Sequence, residues 1–218
     1  MTNNKKFRCH KTLLQVKGVN MKKKLQDIAD INTGLVLARR RSESGTHTYR
    51  VIQFRDVQSS GILTFDNNNE DCIIRSDEPI PDKYLTKEKD IVLGGKLPIT
   101  AAYITTRCEN VVINSNFIVL NVKSSEVYPK FLAWYLNSNY GLRQLNRDAR
   151  ASSVIAGINI RSLSEIEIDF PSIKIQKTIG DAYIAFNELE IDKINLINKE
   201  RQYLSQILNS AYNLNITK

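Results

Sequence analysis

The side chains best equipped for chemistry in this 218-residue sequence are hydrogen-bond donors and acceptors, not nucleophiles or proton carriers. Arg39, Arg40 and Arg41 stand in a row. Gln53 and Arg55 share one side of an alternating stretch, Lys96 follows two glycines, and Asn114 and Asn116 lie in INSNF. Arg147, Arg150, Ser152 and Ser153 surround a run of small residues. These types suit DNA: arginine forks onto the O6 and N7 of guanine, asparagine or glutamine onto the N6 and N7 of adenine, and cations hold phosphates. Taken singly, each is an ordinary surface residue; their recurrence in predicted loops is what points to a polyanion.

Other chemistries lack parts. Gly94-Gly95-Lys96-Leu97 has the look of a phosphate loop, but GxxxxGK[ST] would put its first glycine on Asp90 and its hydroxyl on Leu97. A tight connection between strands is the plainer reading. No GxGxxG, GxSxG or HExxH occurs. Pro81-Asp82 followed by Glu88-Lys89-Asp90 lacks the acid, any residue, lysine spacing of a metal-dependent nuclease. Cys9, Cys72 and Cys108 are far apart, without a CxxC pair, and only His10 and His47 could join them. Neither a metal site nor a disulfide framework is expected. The chain is predicted to be no enzyme and to carry no cofactor.

The charge is regional. Residues 1–41 hold eleven Lys/Arg against Asp27 and Asp30, a balance of +9, so the remaining residues carry −1 of the net +8. A basic segment is either a footprint for nucleic acid or a solvated tail, and Lys5 to Lys24 fits both. Three adjacent arginines in a loop need acidic partners or a polyanion. Residues 66–90 hold eight Asp/Glu against four Lys/Arg, with Pro79 and Pro81, and read as a surface excursion turned away from DNA. No apolar run approaches the roughly 20 residues of a membrane helix. The opening MTNNKKFRCHKTLLQ has no secretory apolar core, so a cytoplasmic location is expected.

The elements that must position these residues follow from periodicity. LQDIADINTG (25–34) predicts a short helix closed by Gly34. YRVIQFRDV (49–57) predicts a strand with Gln53 and Arg55 on one face and Phe54 on the other. DIVLGGKLPITAAYIT (90–105) predicts strand, glycine turn and strand, and VVINSNFIVLNV (111–122) a strand pair or one interrupted strand. From Val127 to Ala149 the period becomes helical, with Pro129 in the first turn. ARASSVIAG (149–157) is a small-polar loop, and INIRSLSEIEIDF (158–170) ends in a strand before Pro171.

Beyond Gly180 there is no further glycine or proline. Ile194, Ile197, Leu204, Leu208 and Ala211 keep a three-four alternation when Arg201 fills the gap, the period of a helix lying along another helix. The predicted architecture is α/β (α+β): a basic extension at 1–21, a mixed short-stranded domain at 22–170, and a long coiled-coil-type helix at 171–218. That helix has no core of its own and requires a partner.

In this order the segments LQDIADINTG, YRVIQFRDVQSSGIL, LTKEKDIVLGGKLPITAAYI, VVINSNFIVLNV, YPKFLAWYLNSNYGLRQL and INIRSLSEIEIDFPSIKIQKTIG resemble a target-recognition half of the specificity subunit of type I restriction-modification systems. The resemblance covers about residues 22–212, and its most specific piece is the last. The sequence departs from the family's proline- and glutamine-rich helix start, having Pro171 and Gln176 with Ile173 and Ile175 between them, and residues 1–21 have no counterpart.

The resemblance implies a globular domain that reads one half of a split double-stranded DNA target and a helix that spaces it from a second domain. The full-length subunit carries two of each, so the chain looks like a half-subunit. Two copies would pair antiparallel through Ile194, Ile197, Arg201, Leu204, Leu208 and Ala211 and read a palindromic, two-part site. Adenine methylation would come from a separate methyltransferase subunit bringing S-adenosylmethionine, and cleavage from a motor subunit. The competing reading is a non-DNA α/β scaffold that assembles through its C-terminal helix; a nuclease with an unrecognised site is a third. Salt-dependent DNA binding by the arginine triplet separates the first two, and divalent-dependent cleavage by the chain alone would reveal the last.

Overall fold

The structure, a computed structural model, describes residues 21–58, 61–65, 72–94, 99–151 and 159–216. At its centre is a four-stranded antiparallel sheet ordered β2 (Ala29–Thr33), β7 (Phe117–Val122), β5 (Ile91–Gly94), β6 (Ala101–Tyr103). Its strands are covered on both faces, which explains why DIVLG and FIVL read as unbroken apolar runs. Ile91, Leu93, Ile118 and Leu120 point into the larger core with Phe131, Leu132, Ile168 and Phe170. Val92, Phe117 and Val119 point the other way, onto Ile52, Ile104 and Ile113. A third cluster of Leu35, Val51, Ile74, Ile80 and Val112 underlies the small sheet of β3 (His47–Arg50) and β4 (Ile73–Ser76).

A further two-stranded sheet joins β1 (Met21–Lys24) to β8 (Glu167–Phe170), so the entry to the domain lies beside its exit. Lys22 pairs with Glu167, Lys23 with Glu126 and Lys24 with Glu165. The basic run at 22–24 is therefore answered locally by acids, although exposed pairs of this kind contribute little stability.

Three sequence expectations are corrected by tertiary pairing. The helix expected over 25–34 is a single turn, α1 (Leu25–Ile28), because from Ala29 onward the backbone pairs with β7. Gly34 does not cap it. A Cβ there would lie 2.2 Å from the carbonyl oxygen of Asn114 and 2.4 Å from that of Ile113, so glycine is needed where the two backbones touch. The strand expected over 49–57 stops at Arg50. Val51 and Ile52 are both buried, and residues 54–56 form a 3-10 turn closed by reciprocal bonds between Gln53 and Asp56. The helix expected over 127–149 is two, α2 (Pro129–Asn137) and α3 (Asn139–Ala151), parted at Ser138, whose hydroxyl oxygen accepts a bond from the Gly141 N–H. The two strands expected within 90–105 pair with each other, the glycine turn at 95–98 lying outside the described residues, and the strand ending at Phe170 is as expected. A short helix, α4 (Ile160–Ser164), precedes the latter.

The long helix α5 (Ile173–Ile216) has 44 residues, about 66 Å at 1.5 Å per residue. Its first four turns are docked on the domain. Gln176, 1% exposed, accepts a bond from the Tyr128 N–H at the start of α2 and donates to the carbonyls of Glu126 and Pro171. Gly180 lets the helix backbone approach α2, since a Cβ there would stand 2.6 Å from the Phe131 nitrogen. Tyr183 meets Asn137, and Ile184 enters the main core. Lys130 and Tyr128 both donate to Asp181, holding its carboxyl below the usual aspartate range.

Gln176→Leu would remove the partner of three partly buried backbone groups, the Tyr128 N–H and the Glu126 and Pro171 carbonyls. A loss of about 2–3 kcal/mol is expected, since an orphaned buried group costs about 1–3 kcal/mol. Urea unfolding measures it, and a wild-type midpoint would show that Gln176 does not anchor the rod.

Candidate nucleic-acid interface and helical rod

Several of the predicted DNA-reading segments converge at one end of the domain, through backbone contacts that no single segment announces. Leu35, at the root of the arginine loop, bridges to Asn114. Its N–H donates to Ile113 and its carbonyl accepts from Ser115. Asn114 ties this crossing to the 53–56 turn by donating to the Ile52 carbonyl at 2.7 Å. Gly94, where the β5–β6 connection leaves the sheet, is paired with Phe117, and the Phe54 ring packs on Phe117 with centroids 5.0 Å apart. The root of the arginine loop, the 53–56 turn, the 114–117 corner and the root of the glycine connection are thus joined to one another through largely buried contacts.

Among these segments the predicted residues divide. Arg39 and Arg41 are exposed and, among the described residues, have no ion-pair partner. Arg40 is held by Glu78 at 2.6 Å. The acidic stretch is thus not turned away: β4 pairs with β3, and the Ser42 N–H donates to the Arg75 carbonyl, which brings Glu78 to the arginines. Arg75 is exposed on the same small sheet, opposite Thr48; its isolation in an acidic segment hid it from sequence reasoning.

Asn116 is exposed. Asn114 is not: it is 6% exposed, with its amide donating to Ile52 and its oxygen accepting from the Asn116 N–H, so it holds the corner together. Gln53 is half-buried and closes the 3-10 turn, while the Arg55 guanidinium donates to the Cys72 sulfur at 3.1 Å. Asn114 and Gln53 thus help to build the fold, whereas Arg55 is exposed and uses one guanidinium nitrogen on Cys72. Arg147 and Arg150 fall on α3, their side chains outside the described residues, as are Ser152, Ser153 and Lys96 altogether. The helix α3 packs against α2 and α4, away from the contacts that join the other segments.

Asp82 and Asp90, the acids considered for a nuclease, line one cavity of about 330 Å³ with Asn32, Lys87 and Asn121. Burial raises the Asp90 carboxyl above its usual range, opposed by the Lys87 N–H and the Asn121 amide, one on each carboxylate oxygen. Both oxygens are thereby used to hold the turn. Among the described residues no three His, Cys, Asp or Glu side chains gather as metal ligands, and no helix is long and apolar enough to cross a membrane.

Beyond Asn187 the fully buried contacts of the rod end, although Glu188, Ile191, Asp192 and Asn195 still line a cavity with Leu63, Phe65 and Arg107 of the domain. Ile194, Ile197, Arg201, Leu204, Leu208 and Ala211 are all exposed, as are Leu196, Tyr203, Ile207 and Tyr212, which widen the apolar stripe beyond the single seam visible in the sequence. So broad an exposed apolar band is uncommon on a monomer and marks an interaction surface.

The architecture is a mixed sheet domain with exposed arginines on one loop, followed by a long amphipathic helix. A family model described as "Type I restriction modification DNA specificity domain" matches residues 18–200. The chain belongs to that family. Among solved structures it is similar to the S subunit of the type I restriction-modification system from M. genitalium, with TM-score 0.56, 19% identity, and coverage of 87% of this chain and 44% of that one. It is also similar to the HsdS subunit from Thermoanaerobacter tengcongensis, with TM-score 0.57, 14% identity, and coverage of 87% and 47%. The chain therefore spans less than half the length of these solved relatives, and at such identities the likeness carries the fold alone. A search of curated proteins by sequence finds no match.

Proposed function

We propose that this chain is the DNA-reading, non-catalytic component of a type I restriction-modification complex, and that two copies joined through their rods read a two-part palindromic site. The observation that supports the first half is that the loop carrying exposed Arg39 and Arg41 is joined through Leu35 to the corner carrying exposed Asn116. Arginines contribute phosphate affinity, and an exposed asparagine can address a base edge. The exposed apolar stripe of α5 supports the second half. Residues 196–216, past the cavity shared with the domain, extend about 32 Å at 1.5 Å per residue. Antiparallel pairing of two such rods sets the heads apart, and twofold symmetry makes the target a palindrome.

In this reading S-adenosylmethionine and methyl transfer to adenine belong to a methyltransferase subunit, and DNA cleavage to a motor subunit, while this chain supplies the address. Its working location is the cytoplasm.

The test is binding to duplex DNA at several salt concentrations. Each phosphate contact contributes about 0.9 to the slope of log affinity against log salt. Arg39→Ala with Arg41→Ala is expected to flatten that slope by about 2 and to weaken binding at low salt at least tenfold. An unchanged slope and affinity would remove the arginine loop from the interface and favour the scaffold reading.

A further inference from the structure

The 53–56 turn presents a side chain that the alternating pattern of the sequence assigned to the opposite face. Phe54 is 42% exposed, although its ring rests on Phe117, itself 1% exposed, at 5.0 Å between centroids with the planes 36° apart. Below the ring runs the Gly94 backbone, close enough that a Cβ there would stand 3.6 Å from Phe54 Cε1. The turn is held from both sides. Gln53 and Asp56 exchange bonds, with the Gln53 N–H donating to the Asp56 carboxylate at 2.8 Å, and the Asp56 carbonyl accepts from the Thr64 N–H. Arg55, next in sequence, is fixed on the Cys72 sulfur. A half-covered aromatic ring thus lies where the 53–56 turn meets the 114–117 corner and the root of the glycine connection.

We propose that Phe54 is a specificity-determining contact that packs its exposed rim against the 5-methyl group of a thymine in the major groove. The inference rests on the DNA reading given above. An apolar contact to that methyl is one of the direct ways a protein tells T·A from the other pairs. The alternative use of an aromatic on DNA, insertion between base steps, requires a side chain that projects. Phe54 lies back on Phe117 and the Gly94 backbone and is 42% exposed, so the ring does not project as a wedge. Gln53 and Arg55 are positioning residues for it, which gives their hydrogen-bonding groups a role other than reading bases. Arg39 and Arg41 supply the complementary charge that brings the phosphates onto this surface.

The probe is the duplex enriched from a randomised pool by the purified full chain. Each thymine in that duplex is replaced in turn by deoxyuridine, which removes the methyl and nothing else. Losing one buried methyl costs about 0.8 kcal/mol, or roughly fourfold in affinity. Wild-type protein is expected to lose about three- to fivefold at one thymine per half-site. Phe54→Ala should bind the unmodified duplex that much more weakly and become indifferent to the same replacement, while Phe54→Leu retains part of the response. Wild-type affinity for an unselected duplex, unchanged in both variants, shows that the domain is folded.

Wild-type indifference to uracil at every position overturns the proposal, as does a Phe54→Ala variant with full uracil sensitivity or an enriched site without thymine. Enrichment of no sequence at all would instead overturn the DNA reading on which it rests.

Discussion

Ile197→Asp together with Leu204→Asp is expected to leave the recognition domain folded while converting the chain from dimer to monomer. Within one copy these side chains are 47% and 55% exposed, so the domain gains nothing from them and its thermal unfolding should not move. In a paired rod each would be buried, contributing about 1.5–3 kcal/mol. Two per copy, four per dimer, amount to about 6–12 kcal/mol of lost burial before the cost of confining four carboxylates is counted. Dimerisation should disappear at any practical concentration, and sedimentation velocity reads this directly.

The consequence for DNA follows from effective concentration. Once one head is bound, a linked second head meets its half-site as an intramolecular event, worth about 10²–10⁴ in overall affinity. The double variant should therefore lose that factor on a two-part duplex while retaining the weak affinity of one head for one half-site. A wild-type sedimentation coefficient in the variant would show that the stripe covers something other than a second copy.

Gly34→Ala is the second large effect. Its Cβ would be placed 2.2 Å from the Asn114 oxygen, and the strands cannot draw apart without breaking the bonds that join them: Gly34 N–H to Phe117, Leu35 N–H to Ile113, and Ser115 N–H to Leu35. An overpacked site costs about 1–3 kcal/mol, and with ladder bonds broken as well about 3 kcal/mol or more is expected. For a chain of this size that lowers the melting temperature by about 6–12 °C. DNA affinity should fall with it, because the Arg39–Arg41 loop hangs from this crossing. Val36→Ala, two residues away on a half-exposed side chain, should change neither. A Gly34→Ala protein as stable as wild type would show that the crossing is looser than its geometry indicates.

The long-range features were the most legible in the sequence. The rod was visible because forty residues without proline or glycine keep one period, and the order of segments carried the family. The two strands within 90–105 were visible because both are buried on two faces. What was hidden is what depends on pairing across distance. Ala29 to Thr33 carry a helical spacing but lie on β7, so hydrogen bonding to a distant strand overrode the local pattern. Gly34 looked like a helix cap and is a backbone crossing.

The candidate site was legible in composition and only partly in position. Arg39, Arg41, Arg55 and Asn116 are exposed, Arg55 with one nitrogen on Cys72, whereas Asn114 and Gln53 are engaged in building the corner. Polar side chains that read bases and polar side chains that hold loops are the same residue types, and only burial separates them. Phe54 was missed because alternation breaks at the buried pair Val51 and Ile52, after which a 3-10 turn replaces the strand.

The most direct measurement of the central claim is the sequence that the purified full chain enriches from a pool of randomised DNA duplexes. The account predicts two inverted copies of one short half-site, separated by a spacer of fixed length. Enrichment of a single half-site would contradict the paired rod, and enrichment of no sequence would contradict the reading of this chain as a DNA-recognition component.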